Sequence, residues 1–211
     1  MASWERLIPK IIHDRYELYN FNNAVEIMSR AYLQEYLELI DALENMNIKI
    51  EDITAAGGSE SNIPKKFSEI MRPRGWEEVK ITGDLLVKMH RRHSSSVEDI
   101  LIKDYIDGHN IDYVKGKVAV DMEWNSKDQT FDRDLYAFRS FYECGIIDCG
   151  VIITRSEELN PLFSELGIKQ KYGASTTWMG KLLPRIQARR HGGCPIFVAG
   201  ITPRAISDWE K

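Results

Sequence analysis

The amino-acid sequence predicts an α/β protein with a central mixed β-sheet flanked by helices. Two nearly continuous apolar runs, 146–154 and 195–202, have the composition of strands that are buried on both faces. Apolar residues recur at helical spacing over 14–46, and over 118–124 they alternate with other residues as in a strand. Strands and helices that follow one another in this way are typical of a sheet covered by helices, with right-handed crossovers between parallel strands.

The first part of the chain is predicted to be mainly helical. Apolar residues on one side of 14–46 and acids on the other predict one long helix or two, which cover the core or a subunit interface. A polar loop with paired glycines follows at 55–62, and we expect it to be mobile. Pro64 then begins a short helix with Asn62 near its cap, and this helix ends within 72–76.

The middle of the chain is predicted to contain strands and one helix. Residues 77–88 predict one or two strands around a turn at 82–84. A loop of serines precedes a predicted helix at 97–105. Residues 111–124 then predict an antiparallel hairpin that turns at 115–117.

Helices and strands alternate in the second half. Asp132 or Asp134 is expected to cap a helix that ends near Gly145, just before the first buried strand. Asp148 interrupts this strand, and we interpret it as a hydrogen-bonded polar residue near the strand end. A helix at 157–166 leads through a basic segment to the second buried strand, and the chain ends in a short helix or tail.

Length and composition favour a soluble globular protein of one domain, with a helical region at 1–60 that covers the core or contributes to a dimer. The chain has 211 residues, of which 43% are hydrophobic and 28% are charged. No apolar run approaches the roughly 18 residues of a membrane helix, and the N-terminus lacks the apolar core of a signal peptide. Three cysteines are too few for a disulfide framework or a zinc site, so we expect a reducing cytoplasm.

Charge is distributed unevenly along the chain, although the formal net charge is only −4. Residues 1–60 have five basic side chains against eleven acids, a net charge of −6. Residues 169–191 have six basic side chains and no acid. A basic segment of this kind is able to meet phosphates, so the net negative charge does not exclude a nucleic-acid partner.

Three acids within 111–124 form the most informative pattern in the sequence. A period of two places Asp121 and Glu123 on one face of a strand, and the antiparallel return of the hairpin brings Asp112 beside them. Carboxylates this close repel one another unless a cation lies among them, and Mg²⁺ prefers such oxygen ligands. The pattern therefore predicts a Mg²⁺ site, which Mn²⁺ can also fill, of a kind that suits phosphodiester hydrolysis.

Other chemistries lack their sequence signals. There is no Gly-x-Ser-x-Gly nucleophile motif, and no glycine pattern of a P-loop or a dinucleotide-binding turn. The five histidines are scattered, although His109 directly precedes the acidic hairpin and is a candidate to approach the metal as well as a surface or packing residue.

Residues 111–124 resemble the active-site region of the BglII and BstYI group of type II restriction endonucleases, within the PD-(D/E)XK nuclease superfamily. The similarity continues through 131–154 and recurs at 64–76 and 194–203, so it covers more than half of the chain. The first sixty residues add little to it. The resemblance implies a PD-(D/E)XK restriction-endonuclease-like fold with a central mixed sheet flanked by helices.

The same resemblance implies roles for individual residues. Asp112 and Asp121 match the metal-binding acids, and the main-chain carbonyl of Met122 matches a further ligand. Glu123 stands where the superfamily usually has lysine, the BglII-like enzymes have glutamine and BamHI has glutamate. A carboxylate cannot offer positive charge to phosphate, so Glu123 would orient or deprotonate the attacking water, or bind a second cation. Glu69 matches an upstream acid used near the metal, and the alternative is a solvent-exposed ion pair.

Two sets of residues are candidates for DNA binding. By resemblance, three residues that directly follow the metal-binding strand would stand at the DNA: Asn125, Ser126 and Lys127. The basic segment supplies short polar side chains suited to base edges, namely Ser175, Thr176 and Thr177. It also supplies cations suited to phosphates, namely Lys181, Arg185, Arg189 and Arg190. A solvated basic face without DNA is the alternative for each of them.

Together these observations predict a homodimer that hydrolyses both strands of a short palindromic site in double-stranded DNA. The resemblance implies four-base 5′ overhangs, a site related to the GATC-centred ones of the group, and a cognate DNA methyltransferase in the same restriction-modification system of a prokaryotic cytoplasm. Two alternatives stay open. One is a catalytically inactive DNA-binding protein on the same fold, motivated by the missing lysine, and the other is a repair or structure-specific nuclease of the superfamily.

Overall fold

A mixed β-sheet of six strands forms the centre of the fold in the part of the chain that the structure describes. The computed structural model describes residues 3–55, 61–93 and 95–209, with the backbone alone at 108 and 109. The strands are β1 (Tyr16–Phe21), β2 (Glu77–His90), β3 (Val97–Lys115), β4 (Val118–Glu123), β5 (Cys149–Arg155) and β6 (Ile196–Ile201). The α-helices are α1 (Lys10–Arg15), α2 (Ala24–Ala31), α3 (Leu33–Asn45), α4 (Ile50–Thr54), α5 (Asn62–Met71), α6 (Thr130–Glu143), α7 (Leu159–Glu165) and α8 (Met179–Gln187).

The strand order is β1-β6-β5-β4-β3-β2. The three central strands β4, β5 and β6 run parallel, as expected for strands joined by helices. The remaining neighbours pair antiparallel, so the sheet is mixed, as the sequence predicts. Every residue of β4, β5 and β6 is buried, because helices cover both faces of the sheet at these strands.

Two apolar clusters lie on the two faces of the sheet. On one face α6 and α8 pack against alternate residues of the central strands, for example Ala119, Ile152 and Val198. On the other face the N-terminal helices and α7 pack against the residues between them, such as Val120 and Val151. Period-two alternation along each strand therefore divides the core into two layers.

The N-terminal region contains a strand that the sequence does not predict. Residues 16–21 form β1 at the edge of the sheet and pair antiparallel with β6, whereas a helix was expected throughout 14–46. Aromatic side chains at 16, 19 and 21 suit a strand, and pairing with β6 outweighs the helical spacing. Two separate helices, α2 and α3, occupy the rest of this region and meet at Tyr32, where φ is −132°.

The β2–β3 hairpin is the largest departure from the sequence prediction. β2 is a single strand with irregular pairing near Gly83 rather than two strands around a turn. Residues 97–105 belong to the long strand β3 and not to a helix, because Ile100, Leu101 and Ile102 pair across from 85–87 of β2. The outer half of the hairpin lies beyond the other strands, and its large apolar side chains are exposed there. The predicted turn at 115–117 is confirmed, with Gly116 at φ +54°.

The second half follows the prediction with shifted boundaries, except that helix α8 forms within the segment that was predicted only to be basic. Helix α6 begins at Thr130 after Gln129, so neither Asp132 nor Asp134 caps it, and both lie inside the helix. Strand β5 begins at Cys149, and Asp148 just before it accepts a hydrogen bond from the Tyr32 hydroxyl. The polar role predicted for Asp148 is thereby confirmed.

Three further expectations have these outcomes. The polar loop predicted at 55–62 lies largely outside the described residues, which resume at residue 61. The three cysteines, all within the described part, are free thiols. No helix among the described residues is long and apolar enough to cross a membrane.

Candidate active site

The pairing of β3 with β4 brings the first two predicted acids together. Tyr113 pairs with Val120, so Asp112 and Asp121 face each other one position further along. The main-chain N–H of Asp112 donates a hydrogen bond to Asp121 Oδ1 over 2.8 Å. The Asp112 carboxylate in turn accepts a hydrogen bond from the main-chain N–H of Met122. These reciprocal hydrogen bonds fix the relative position of the two carboxylates.

Strand β4 aims its side chains in alternate directions. Val118, Val120 and Met122 enter the apolar cluster that includes the N-terminal helices. Asp121 and Glu123 point the other way, and only 3% and 6% of their surfaces are exposed. The alternation predicted from the sequence is therefore present, but the acids lie in the interior and not on an open edge.

A cavity of about 290 Å³ contains the acids. Its walls come from four elements: β2, β3, β4 and the first turns of α6. The lining residues are Glu78, Lys80, Asn110, Asp112, Asp121, Glu123, Arg133 and Asp134. Five carboxylates and two cations thus share one small space, which gives the cavity an excess of negative charge.

Three carboxylate oxygens in this cavity are buried without a hydrogen-bond partner among the described residues. They are Asp121 Oδ2, Glu123 Oε2 and Asp134 Oδ2. A buried charged oxygen that has lost its water without gaining a partner costs free energy. Three such atoms in one cavity therefore indicate a missing positive partner.

The pKa values of four acids in the cavity are all shifted upward. Burial is the main cause for Asp112, Asp121 and Glu123, and the neighbouring carboxylates raise these pKa values further. Burial, followed by the charges of Asp121 and Glu123, raises the pKa of Asp134 to about 10. Arg133 opposes the shift at each of the four. Concentrated, perturbed acids in a cavity are typical of functional sites.

The cavity fits a hard divalent cation. Within the described residues no three His, Cys, Asp or Glu side chains converge as a ready-made metal cluster. Mg²⁺ does not need one, since it keeps several waters and is usually held by one or two carboxylates together with substrate phosphate. Asp112 and Asp121 supply such a pair, and the unpaired Asp121 Oδ2 is an available ligand. A cation there would also offset the repulsion that raises the acid pKa values.

The structure adds residues that sequence reasoning missed. Asp134 enters the cavity from α6, although the sequence analysis treats it only as a helix cap. Glu78, an exposed residue of β2, also lines the cavity and accepts a hydrogen bond from Asn110 over 2.7 Å. Glu69 is exposed on α5 and lines a different pocket, together with Lys65 and other residues. Period two along a correctly assigned β2 would have placed Glu78 beside Lys80, but nothing in the sequence marks Asp134.

The candidate DNA-binding loops lie next to this cavity. Lys127 and Thr176 form an isolated antiparallel bridge, and the Thr177 N–H donates to the Ser126 carbonyl over 2.8 Å. Ser126 also hydrogen-bonds to the Glu123 carboxylate, which joins the loop to the acid site. Ser126, Lys127 and Ser175 are exposed, and Asn125 and Thr176 are half-buried. Thr177 is fully buried, which leaves it no surface for a base edge in this conformation.

Most predicted phosphate-binding cations already have acidic partners. Arg185 contacts Asp132 at 3.1 Å and Asp128 at 3.5 Å, and Lys181 approaches Asp128 at 3.8 Å. Arg190 also pairs with Asp132. Among the described residues Arg189 has no such ion pair, and it is exposed. The side chain of His109 lies outside the described part, so its predicted approach to the metal stays a prediction.

A comparison with known protein families decides the family of this chain. The model of the restriction endonuclease BglII/BglIII family matches residues 16–201. The chain belongs to this family. By family it is therefore a BglII-type restriction endonuclease, a nuclease whose substrate is DNA, and its α/β fold is of the PD-(D/E)XK type. The predicted family and fold class are confirmed, and a search among curated proteins finds no match to this chain.

Proposed function

We propose that the chain is a type II endonuclease that cleaves both strands of a short palindromic DNA site with Mg²⁺ and leaves four-base 5′ overhangs. The observation that supports this proposal is the buried, unpaired Asp121 carboxylate oxygen beside Asp112, next to two exposed polar loops. A pair of hard oxygen ligands within reach of a DNA-facing surface is the arrangement that phosphodiester hydrolysis requires.

In this proposal Asp112 and Asp121 hold Mg²⁺, with the carbonyl of Met122 as a further ligand. When bound, the ion polarises the scissile phosphate and stabilises charge on the leaving oxygen. The reciprocal hydrogen bonds between the two strands keep both carboxylates in place before the substrate arrives. Glu123 is the third acid of the hairpin, and its side chain contacts Asp134. It would orient or deprotonate the attacking water, or bind a second cation.

Positive charge for the scissile phosphate has to come from outside position 123 in this chain. Lys80 and Arg133 line the same cavity as the acids. We assign to them the contact with the phosphate that the superfamily lysine makes elsewhere, because both are cations that reach this space from different walls. Ser126, Lys127 and Ser175, on the adjacent exposed loops, are placed at the bases and Arg189 at a phosphate.

The proposal extends to the assembly. The 211 residues act as one restriction-endonuclease-like unit, in which residues 1–60 cover the core or contribute to the dimer. A homodimer would present two cavities to the two strands, and its two-fold symmetry would match a palindromic site. A cognate methyltransferase protects the host DNA, without being a stable subunit.

End mapping of cleaved DNA tests the proposal directly. Purified protein with Mg²⁺ should cut plasmid DNA into discrete fragments whose sequenced ends share one palindrome and a four-base 5′ overhang. Chelation of Mg²⁺, or Asp121→Ala, should abolish cleavage while DNA binding persists. A smear without discrete ends would instead support a repair or structure-specific nuclease. Binding without any cleavage would support the inactive DNA-binding protein that the glutamate at position 123 suggests.

A further inference from the structure

Asp134 is the acid of the cavity that the hairpin pattern does not include. It lies on α6 and not on the β3–β4 hairpin, and only 3% of its surface is exposed. An acid this deeply buried on a helix is unusual unless it has a partner that matches its charge. Its carboxylate therefore needs an explanation of its own.

The contacts of Asp134 do not supply that partner in full. Arg133 Nε lies 3.6 Å from Asp134 Oδ1, and the Arg133 side chain is largely exposed. Asp134 Oδ2 has no hydrogen-bond partner among the described residues. The Glu123 side chain lies within hydrogen-bonding reach of the Asp134 side chain. Glu123 Oε2 is also buried and without a partner.

Two carboxylates in contact inside a protein repel each other unless they share a proton or a cation. Asp121 Oδ2, a third buried oxygen without a partner, faces the same cavity and adds to the negative charge. A single shared proton would neutralise one of the three charges and leave two, which the largely exposed Arg133 offsets only in part. A divalent cation would offset two charges and accept hard oxygens as ligands.

We propose that Glu123 and Asp134 bind a second divalent cation on the α6 side of the cavity, apart from the one assigned to Asp112 and Asp121. The cavity volume of about 290 Å³ leaves room for ions that keep part of their water, since a water molecule occupies about 30 Å³. This inference rests on the proposed function, because it assumes that the first cation site lies at Asp112 and Asp121.

Counting bound Mn²⁺ tests the second site without any cleavage assay. Metal-free protein is titrated with Mn²⁺ alone, and the free ion is measured by electron paramagnetic resonance. At the lowest Mn²⁺ concentration that fills both sites of the wild type, we expect two ions per chain in the wild type and one in Asp134→Asn, because the variant loses roughly tenfold or more in affinity at the second site. Glu143→Gln, an exposed acid at the far end of α6, is the matched control and should keep two ions.

The wild type and variants should also differ in melting temperature. Mn²⁺ binds the folded protein and stabilises it, so the rise in Tm on adding Mn²⁺ should be smaller for Asp134→Asn than for the wild type or Glu143→Gln. Circular dichroism of each variant verifies that it is folded before the titration is interpreted.

Three outcomes separate this inference from the proposed function. Two ions in Asp134→Asn would overturn the second site. One ion in both the wild type and Asp134→Asn would also overturn the second site and would favour a proton shared between Glu123 and Asp134. The proposed site at Asp112 and Asp121 would still stand in that case if Asp121→Asn loses the one ion. No bound Mn²⁺ in the wild type would contradict both proposals.

Discussion

The acid cavity and the basic segment at 169–191 have opposite charge, and they differ in whether their charged side chains have partners of opposite charge. In the cavity, Asp121, Glu123 and Asp134 are buried, and each has an oxygen without a partner among the described residues. In the basic segment, Arg185 and Arg190 reach acids from α6, and these pairs are only partly buried. A local charge count therefore overstates the free positive charge of the basic segment, and it does not show that the acids of the cavity are buried with oxygens that lack partners.

The difference shows where the protein gives up stability for function. Ion pairs between partly exposed side chains contribute little free energy, so they make the basic segment compatible with folding at small cost. Buried acids without partners oppose folding, and their pKa values are raised as a result. A site that destabilises the protein in the absence of its ligand is expected at a place that binds one.

The largest expected effect is a loss of cleavage together with a gain in stability. Asp121→Asn removes a proposed metal ligand, and we expect the DNA cleavage rate with Mg²⁺ to fall on the order of 10³-fold. The same change removes one buried charge, so the Tm of the metal-free protein should rise. Single-turnover plasmid cleavage and thermal melts measure the two effects.

For that variant, Asp128→Asn is a useful comparison, because Asp128 pairs with cations of the basic segment and does not line the cavity. Asp128→Asn should retain cleavage within roughly tenfold and gain no stability. Equal loss of cleavage in the two variants would contradict the separate roles of the two regions.

The second expected effect is a dependence of stability on pH that comes from the cavity. The folded-state pKa of Asp134 is about 10, above its ordinary value near 4, so its contribution to stability is complete below about pH 4. This contribution is lost as the pH rises through 10. Asparagine at position 134 has no titrating group, so Asp134→Asn does not lose this stability as the pH rises. The free energy of unfolding of Asp134→Asn should therefore exceed that of the wild type by a growing amount from pH 5 to pH 9, with chelator present to remove metal ions.

Denaturant titrations at several pH values measure this difference in free energy of unfolding. At pH 8 we expect Asp134→Asn to be more stable by at least about 1.4 kcal/mol, the equivalent of one pKa unit. Added Mg²⁺ should reduce the difference, since it stabilises the ionised wild-type carboxylate. A variant that is less stable at every pH would argue against a costly buried charge at 134.

The third expected effect separates a free cation from a paired one. Arg189→Ala removes an exposed guanidinium that has no ion pair among the described residues, so DNA affinity should fall and the slope of log affinity against log salt should decrease by about 1. Arg185→Ala breaks two ion pairs, one with Asp132 on α6 and one with Asp128 just before this helix, and should lower the free energy of unfolding by roughly 1 kcal/mol. Fluorescence anisotropy at several salt concentrations, with parallel melts, compares the two variants.

The smallest expected effect is a gain of DNA binding. Asp132→Asn removes the acid that pairs with both Arg185 and Arg190. Two cations would then be available to phosphates, and DNA affinity at low salt should rise by roughly two- to fivefold. Unchanged affinity would mean that these arginines do not face the DNA. The matched control is Glu143→Gln, which changes charge on the same helix away from the basic segment.

Much of the fold follows from local sequence patterns. The hairpin turn at Gly116, helix α6 and the buried strands β5 and β6 lie where the sequence places them, within a few residues. The prediction of a helix at 97–105 was wrong. A short apolar run with flanking acids fits a helix or a strand, and only pairing with β2 selects the strand. The same holds for β1, which is a strand because β6 offers it an edge.

The candidate site divides in the same way. Asp112, Asp121 and Glu123 are separated by short stretches of one hairpin, and a strand period of two is enough to bring them together. Asp134 is eleven residues beyond Glu123, on a helix, and its entry into the cavity depends on how α6 packs over the sheet. Glu78 lies more than thirty residues before Asp112, and it comes close because β2 pairs with β3.

The sequence by itself determined the family, the α/β class and the three acids of the hairpin, because these depend on residue types and on spacing over a few residues. Only the tertiary structure decided that the acids are buried, that Asp134 joins them and that three of the six cations of the basic segment are paired with acids. Burial and ion pairing depend on contacts between elements distant in the chain. A charge therefore acquires its pKa and its function from neighbours that its local sequence does not contain.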